Sequence, residues 1–301
     1  MSCSRAPGGP EQTRMVASAE MSAIAHRLAD ATSTRSDIVA RLRAAGCVFA
    51  EDEAELLGSA APTPAALADL VNRRVSGVPL EYLLGWVKFC GRRIAVDPGV
   101  FVPRKRTEFL VREAVMLTKP AESVDPLARP PVVVVDLCCG SGAVGAALVA
   151  ALDRVELFAV DIDPAAVRCA RLNIVSGQVY EGDLYEPLPG RLRGRVDLLV
   201  ANAPYVPTEA VALLPPEARI HEPRVALDGG ADGLSVLRRI AAGAPSWLAA
   251  GGSLLVETSE GQAREIVAFV SRSGLIYRVA SCDELNATVV IATRAASPDE
   301  E

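Results

Sequence analysis

Two short segments in the second half of this 301-residue sequence combine residue types able to do chemistry. The first is Asp136-Leu-Cys-Cys-Gly140-Ser-Gly142-Ala-Val-Gly145, directly after the β-branched run Val132–Val135. Gly140, Gly142 and Gly145 form a G-x-G-x-x-G pattern, and Asp161 follows 25 residues after Asp136. By itself this pattern fits a dinucleotide fingerprint, or a Gly-rich strand-to-helix turn that holds nothing. Asp136 separates the possible ligands. A helix N-terminus welcomes a pyrophosphate, and a carboxylate beside it repels one. S-adenosylmethionine carries no phosphate, and its methionine end bears an ammonium and a sulfonium. An acid followed by glycines, which let the backbone approach a ligand closely, suits that cation. Asp161 can accept hydrogen bonds from both ribose hydroxyls, a feature common to either cofactor. Gly182-Asp183 ends a third strand-like run, where it could meet the adenine amino group or simply cap a turn.

The second segment is Ala201-Asn202-Ala203-Pro204-Tyr205, after Val196–Val200. Asn, Pro and Tyr are ordinary turn residues, so N-x-P-Y gains meaning from its place beside the Gly-rich turn. An amide nitrogen is a poor nucleophile because its lone pair is delocalised. Two acceptors holding its two N–H groups would orient it toward a methyl donor. Asn202 Oδ1 and the Ala203 carbonyl can be those acceptors. Tyr205 would form an aromatic wall and Pro204 would fix the backbone direction. Such a transfer requires neither a metal nor a Ser or Cys nucleophile.

Both segments need a scaffold that brings strand ends together. Strand-like runs at Val132–Val135, Leu157–Val160, Val179–Tyr180, Val196–Val200 and Ser253–Glu257 alternate with helical stretches. The helices are predicted over Ala143–Leu152, over Pro164–Asn173 and around Leu234, Leu237 and Ile240. This alternation predicts an α/β, doubly wound sheet whose ligands bind at the carboxyl ends of the strands. Tyr277–Val279 and Thr288–Ala292 read as an antiparallel pair at the sheet edge. Upstream, Ser36 is expected to cap a helix carrying Ile38, Val39 and Leu42 that Gly46 ends, and Thr63-Pro64 to start another that Gly77 stops. Val87–Val96 reads as a short β-hairpin.

Composition narrows the function classes. Half of the chain is hydrophobic and 23% is charged, which excludes a disordered protein. A net charge of −6 argues against a protein that binds nucleic acid by broad phosphate contact. No apolar run reaches membrane-spanning length, and Met1–Glu20 does not resemble a signal peptide. The cysteines, seven and scattered, fit a reducing cytoplasm. With His26 and His221 the only histidines and no C-x-x-C, a zinc site is not expected.

Taken in order, these motifs resemble the HemK/PrmC family of protein-(glutamine-N5) methyltransferases. The resemblance covers roughly residues 20–295 and rests on Gly77–Gly85 (G-V-P-L-E-Y-L-L-G), Val102–Glu108 (V-P-R-K-R-T-E), Asp136–Gly142, Ala159–Asp161, Asn202–Tyr205 and Glu222–Gly230 (E-P-R-V-A-L-D-G-G). It implies a class I, Rossmann-like, S-adenosylmethionine-dependent methyltransferase sheet with a small N-terminal helical domain and a β-hairpin linker. The expected division is a disordered tail over 1–18, a helical substrate-recognition domain over 19–85, the linker over 86–106, the methyltransferase domain over 107–295 and a tail over 296–301. It further implies cofactor contacts at Asp136, Cys138, Cys139, Gly140, Ser141, Gly142, Asp161, Asp183, Leu184 and Asn202. Asn202, Ala203, Pro204 and Tyr205 would hold the substrate glutamine, which in this family belongs to the Gly-Gly-Gln tip of a peptide-chain release factor. No membrane and no direct nucleic-acid partner are expected.

The sequence departs from the family pattern at three places. N-P-P-Y is N-A-P-Y, with Ala203 in place of the first proline. A common loop glycine is Cys138. The usual R-P-[DE]-T-E is Arg104-Lys105-Arg106-Thr107-Glu108. Two alternatives remain at this level. One is an N-methyltransferase acting on nucleic acid or a small molecule, using the clusters Arg73-Arg74, Arg92-Arg93 and Arg104–Arg106. The other is a non-catalytic cofactor-binding protein.

Overall fold

A computed structural model describes residues 34–118 and 130–296. The tail expected over 1–18, the start of the expected helical domain and all but Ala296 of the C-terminal tail lie outside the described residues. The chain divides into two compact units, Met1–Leu84 and Gly85–Glu301.

The first unit contains α1 (Arg35–Ala44), α2 (Ala50–Ala60), α3 (Pro64–Val75) and the short α4 (Leu80–Leu84). Ser36 is not the cap of α1. Thr34 takes that role, accepting from the Asp37 N–H while Asp37 bonds back to the Thr34 backbone. This reciprocal box satisfies two orphan donors, and a cap at Ser36 would put Val39, which cannot reciprocate, at the third helical position. Thr63 and Pro64 start α3 as predicted. Ile38, Leu42, Ala54, Leu57 and Val71 form the core. Beside it, Arg74 Nε donates to Glu53 Oε2 at 2.6 Å with both side chains buried.

The second unit opens with the hairpin β1 (Trp86–Phe89) and β2 (Arg92–Ala95). A 3-10 turn at Lys105–Thr107 leads into α5 (Glu108–Leu117). The chain then alternates through β3 (Val132–Leu137), α6 (Ala143–Ala151), β4 (Val155–Asp161), α7 (Pro164–Asn173), β5 (Gln178–Glu181) and β6 (Val196–Ala201). After the short α8 (Pro216–His221) come α9 (Ser235–Trp247), β7 (Leu248–Thr258), α10 (Glu260–Arg272), β8 (Ile276–Cys282) and β9 (Ala287–Thr293). The sheet order is β5-β4-β3-β6-β7-β9-β8. Its first five strands are parallel, and β9 joins β7 and β8 antiparallel, as the sequence predicts for the edge.

Strand residues alternate between two cores, because successive side chains of a strand point to opposite faces. Val135, Leu137, Phe158, Val160, Leu199 and Ala201 pack with α9 and α10 through Leu237, Ile240 and Ile266. Val134, Leu157, Ala159, Leu198 and Val200 pack with α5, α6 and α7 through Leu110, Leu148 and Ala170. Both faces are covered, which is why these strands read as continuous apolar runs. The order reverses at β3, with β4 on one side and β6 on the other, so the crevice forms where β3 and β6 end. Among the described residues, no helix is long and apolar enough to cross a membrane.

Candidate active site

Two cavities lie at the carboxyl ends of the parallel strands. The first, about 210 Å³, is lined by Asp136, Cys138, Cys139, Gly140, Ser141, Asp161, Asp183, Leu184, Asn202 and Pro204 among others. The loop after β3 shapes it. The Asp136 carboxylate turns under the loop and accepts from the Gly145 N–H of α6 at 2.9 Å. Asp161 Oδ2 accepts from the Gly140 N–H at 2.8 Å, and Oδ1 from the Asp163 N–H at 2.9 Å. Two backbone donors that a pyrophosphate would use are thus already held by the protein's own carboxylates. Each Asp161 oxygen keeps a second lone pair, enough for a ribose diol.

Burial pushes the Asp136 carboxyl up to about 7, helped by the nearby Asp161 charge and opposed by the Gly145 hydrogen bond. Burial also raises Asp161, against the bonds from Asp163 and Gly140. Two desolvated acids side by side gain from a cation between or above them. On the far wall Arg239 Nη2 pairs with Asp183 Oδ2 at 2.8 Å. In the loop after β3, the Ser141 hydroxyl is buried with no hydrogen-bond partner. The donor set therefore fits a ligand with a cationic end, a diol and further polar groups, as S-adenosylmethionine has.

Two loop residues stand apart from the others. Gly142 lines neither cavity. It caps α6 at φ +76°, and a Cβ there would lie 2.8 Å from the Ile174 side chain, so it serves helix packing. Cys138 adopts φ +55°, a left-handed conformation that a glycine takes without strain and a residue bearing a Cβ does not. Burial raises the thiols of Cys138 and Cys139 well above their ordinary value, and the neighbouring aspartates raise them further. Both stay protonated at neutral pH and are not nucleophiles.

The second cavity, about 530 Å³, is lined by Asn202, Ala203, Pro204 and Tyr205 together with Phe101, Arg106 and Thr258. Asn202, Pro204, Phe101 and Ala226 line both cavities, so the two meet at the N-A-P-Y loop. Segments on two sides hold this loop, and Gln262 Nε2 of α10 donates to the Tyr205 carbonyl at 2.9 Å. Behind it, Val206 donates to the Leu227 carbonyl at 3.1 Å and Gly229 to the Val206 carbonyl at 2.8 Å. A Cβ on Gly229 would lie 2.7 Å from the Pro204 carbonyl, so no other residue allows that approach. In front, the turn after β2 supplies side chains. Thr107 Oγ1 accepts from Asn202 Nδ2 at 3.2 Å, and Arg106 Nη2 donates to the Tyr205 hydroxyl at 2.6 Å. Arg106 Nε in turn donates to the buried Glu257 at 3.1 Å. Burial raises the Tyr205 phenol, as does the Glu257 charge, with Arg106 and Arg104 opposing.

Residue pattern alone left Thr107, Arg239, Glu257 and the role of Glu222–Gly230 unassigned. Thr107 and Glu222–Gly230 lie in motifs that do not indicate which partner each meets, and Arg239 and Glu257 lie outside every motif. Most of the arginines proposed for RNA contact are engaged within the chain. Arg74 pairs with Glu53, and Arg104 Nη2 reaches both Glu222 oxygens at 2.6 Å. Arg106 pairs with Glu257, and Arg93 stacks over Trp86 at 4.2 Å.

Residues 124–227 match the family described as "Methyltransferase small domain". The chain is 39% identical over 214 residues to the release factor glutamine methyltransferase of Geobacter sulfurreducens, covering 70% of this chain and 71% of the relative. It is 38% identical over 250 residues to the enzyme of the same name from Mycolicibacterium smegmatis, covering 76% and 85%. It is also 33% identical over 217 residues to the 4-amino-L-phenylalanine/4-methylamino-L-phenylalanine methyltransferase of Streptomyces pristinaespiralis, covering 71% and 73%.

Proposed function

The chain belongs to the release factor glutamine methyltransferases, and from that premise we propose that its N-A-P-Y loop holds the side-chain amide of a protein glutamine for methylation at N5. The supporting observation is the meeting of the two cavities at Asn202 and Pro204. A nitrogen held there faces the first cavity while the rest of its carrier occupies the second. S-adenosylmethionine, when bound, supplies an electrophilic sulfonium methyl group.

The protein's residues do the remaining work. Asp136, Asp161, Asp183, Leu184 and Ser141, with the turn at Cys138–Gly140, hold the donor. Thr107 takes the Asn202 amide hydrogen, leaving Asn202 Oδ1 to accept one N–H of the substrate amide. The Ala203 carbonyl accepts the other. Holding both hydrogens in one plane aims the nitrogen lone pair and excludes competing water. Tyr205 closes one side of the pocket. The methylated nitrogen releases a proton to solvent, so no buried base is required.

The carrier is a peptide-chain release factor presenting the glutamine of a Gly-Gly-Gln tip. Two glycines without side chains can pass a narrow entrance that bulkier neighbours would block. The six free cysteines among the described residues suit a reducing cytoplasm.

The test uses purified release factor, a Gln→Ala tip variant and labelled cofactor, with mass spectrometry of the product. Label on the tip glutamine of the intact factor alone is the expected result. Label on another protein's glutamine would keep the reaction and discard this carrier. Label on RNA or a small molecule alone would overturn the reading.

A further inference from the structure

Arg106 and Ala203 are two of the positions at which this sequence departs from the family pattern it resembles. The structure connects these two departures. Ala203 is buried, at 1% exposure, but as an alanine it does not restrict φ as a proline would. Two side-chain bonds from consecutive residues of one 3-10 turn hold the loop instead. Thr107 holds Asn202, and Arg106 holds Tyr205. Arg106 is itself held, because its Nε bonds Glu257 at the end of β7 while Nη2 bonds the Tyr205 hydroxyl. One guanidinium thus spans from a rigid central strand to the wall of the acceptor pocket. A planar fork can make both bonds at once from two nitrogens, and a lysine ammonium, whose three donors share one nitrogen, does not reproduce that geometry.

We propose that Arg106 is a positioning residue: its Glu257–Arg106–Tyr205 bridge braces the N-A-P-Y loop from outside, replacing the internal stiffness that a proline at 203 would supply. The proposal rests on Tyr205 forming the acceptor-pocket wall. It predicts that the arginine and the alanine are a matched pair. The bridge does not touch the donor cavity, so donor affinity does not depend on it.

The test measures the full chain with Arg106→Gln, Arg106→Lys, Ala203→Pro and the double variant Arg106→Gln/Ala203→Pro. Arg106→Gln is expected to raise the KM for release factor about tenfold, the size of a single coupled contact, with kcat and cofactor Kd changing much less. Arg106→Lys should behave like Arg106→Gln, because charge alone does not make the bridge. In the Ala203→Pro background the loss from Arg106→Gln should shrink to within about threefold. Full rescue by lysine, or an equal loss in both backgrounds, would overturn the proposal. If Ala203→Pro lowers the melting temperature sharply, Tyr205→Phe takes its place. There Arg106→Gln should add no further loss, and multiplying losses would overturn the bridge. Amide hydrogen exchange over residues 202–206, without any acceptor, gives an independent readout. Exchange should speed up in both Arg106 variants, and unchanged exchange would overturn the brace. If the wild-type chain labels no release factor, the substrate reading fails while the exchange result still decides this proposal.

Discussion

Thr107 Oγ1 and Asn202 Nδ2 lie 3.2 Å apart, and this contact determines which end of the Asn202 amide turns toward Thr107. The buried hydroxyl accepts the amide hydrogen, so the carbonyl end points away from Thr107 and remains available. A loop asparagine without such a partner could flip and present a donor to a substrate that itself offers donors. Thr107 belongs to the turn before α5, 95 residues earlier in the chain, and its role depends wholly on tertiary contact.

Replacing Thr107 with valine preserves shape and removes that acceptor. Turnover should fall about tenfold, because a misaligned amide presents the wrong group for part of the time. The lost hydrogen bond should lower stability by about 1 kcal/mol. Steady-state kinetics and calorimetry of cofactor binding check this together. An undiminished kcat would mean that Asn202 is oriented by something else.

Asp161→Ala should weaken cofactor binding by roughly 1.5–3 kcal/mol through lost hydrogen bonds to a charged group. The structure adds a second effect. The N–H groups of Gly140 and Asp163 lose their acceptor, so the melting temperature should also fall. Asp161→Asn keeps one acceptor oxygen and should restore part of both losses. Calorimetry and thermal melts separate the two effects.

Cofactor affinity should depend on pH through Asp136. Its carboxyl is raised to about 7 in the native chain, and a cationic ligand favours the ionised form. Below pH 7 the dissociation constant should therefore rise by up to about tenfold per pH unit. The sign for stability without cofactor is the opposite. A native pKa above the unfolded value of about 3.9 gives a contribution present at low pH and lost as pH rises through 7. Asp136→Asn should flatten both profiles. A cofactor Kd that stays constant from pH 5.5 to 8 in the wild type would refute the assignment.

Cys138→Gly should relieve a left-handed residue that bears a side chain, a strain of about 1–2 kcal/mol, offset in part by glycine's greater freedom when unfolded. The melting temperature should hold or rise, and cofactor binding should persist because the thiol is protonated and inert. A large loss of affinity would show that the sulfur itself contacts the cofactor.

The periodic parts of this fold were legible in the residue order. Val132–Val135, Leu157–Val160 and Pro164–Asn173 lie within or match their observed elements, because continuous β-branched runs and a Pro at the first helical turn are local signals. The cap of α1 is Thr34 where the residue order predicts Ser36, because both are good caps and only the reciprocal bond with Asp37 distinguishes them. Asp136 also carries a local signal for cofactor type, since an acid next to a Gly-rich turn disfavours phosphate.

The sequence by itself determined the alternation of strands and helices, the chemistry of the Asp136–Gly145 and Asn202–Tyr205 segments, and their arrival on one edge of a parallel sheet. These follow from side-chain periodicity and from the rule that parallel strands end on the same side. Only the tertiary structure decided that Asp136 caps Gly145, that Thr107 orients Asn202, and that Arg106 links Glu257 to Tyr205. A hydrogen bond depends on a distance of about 3 Å and on direction, and residues 9 to 151 positions apart acquire both only when the strands and turns that carry them are packed.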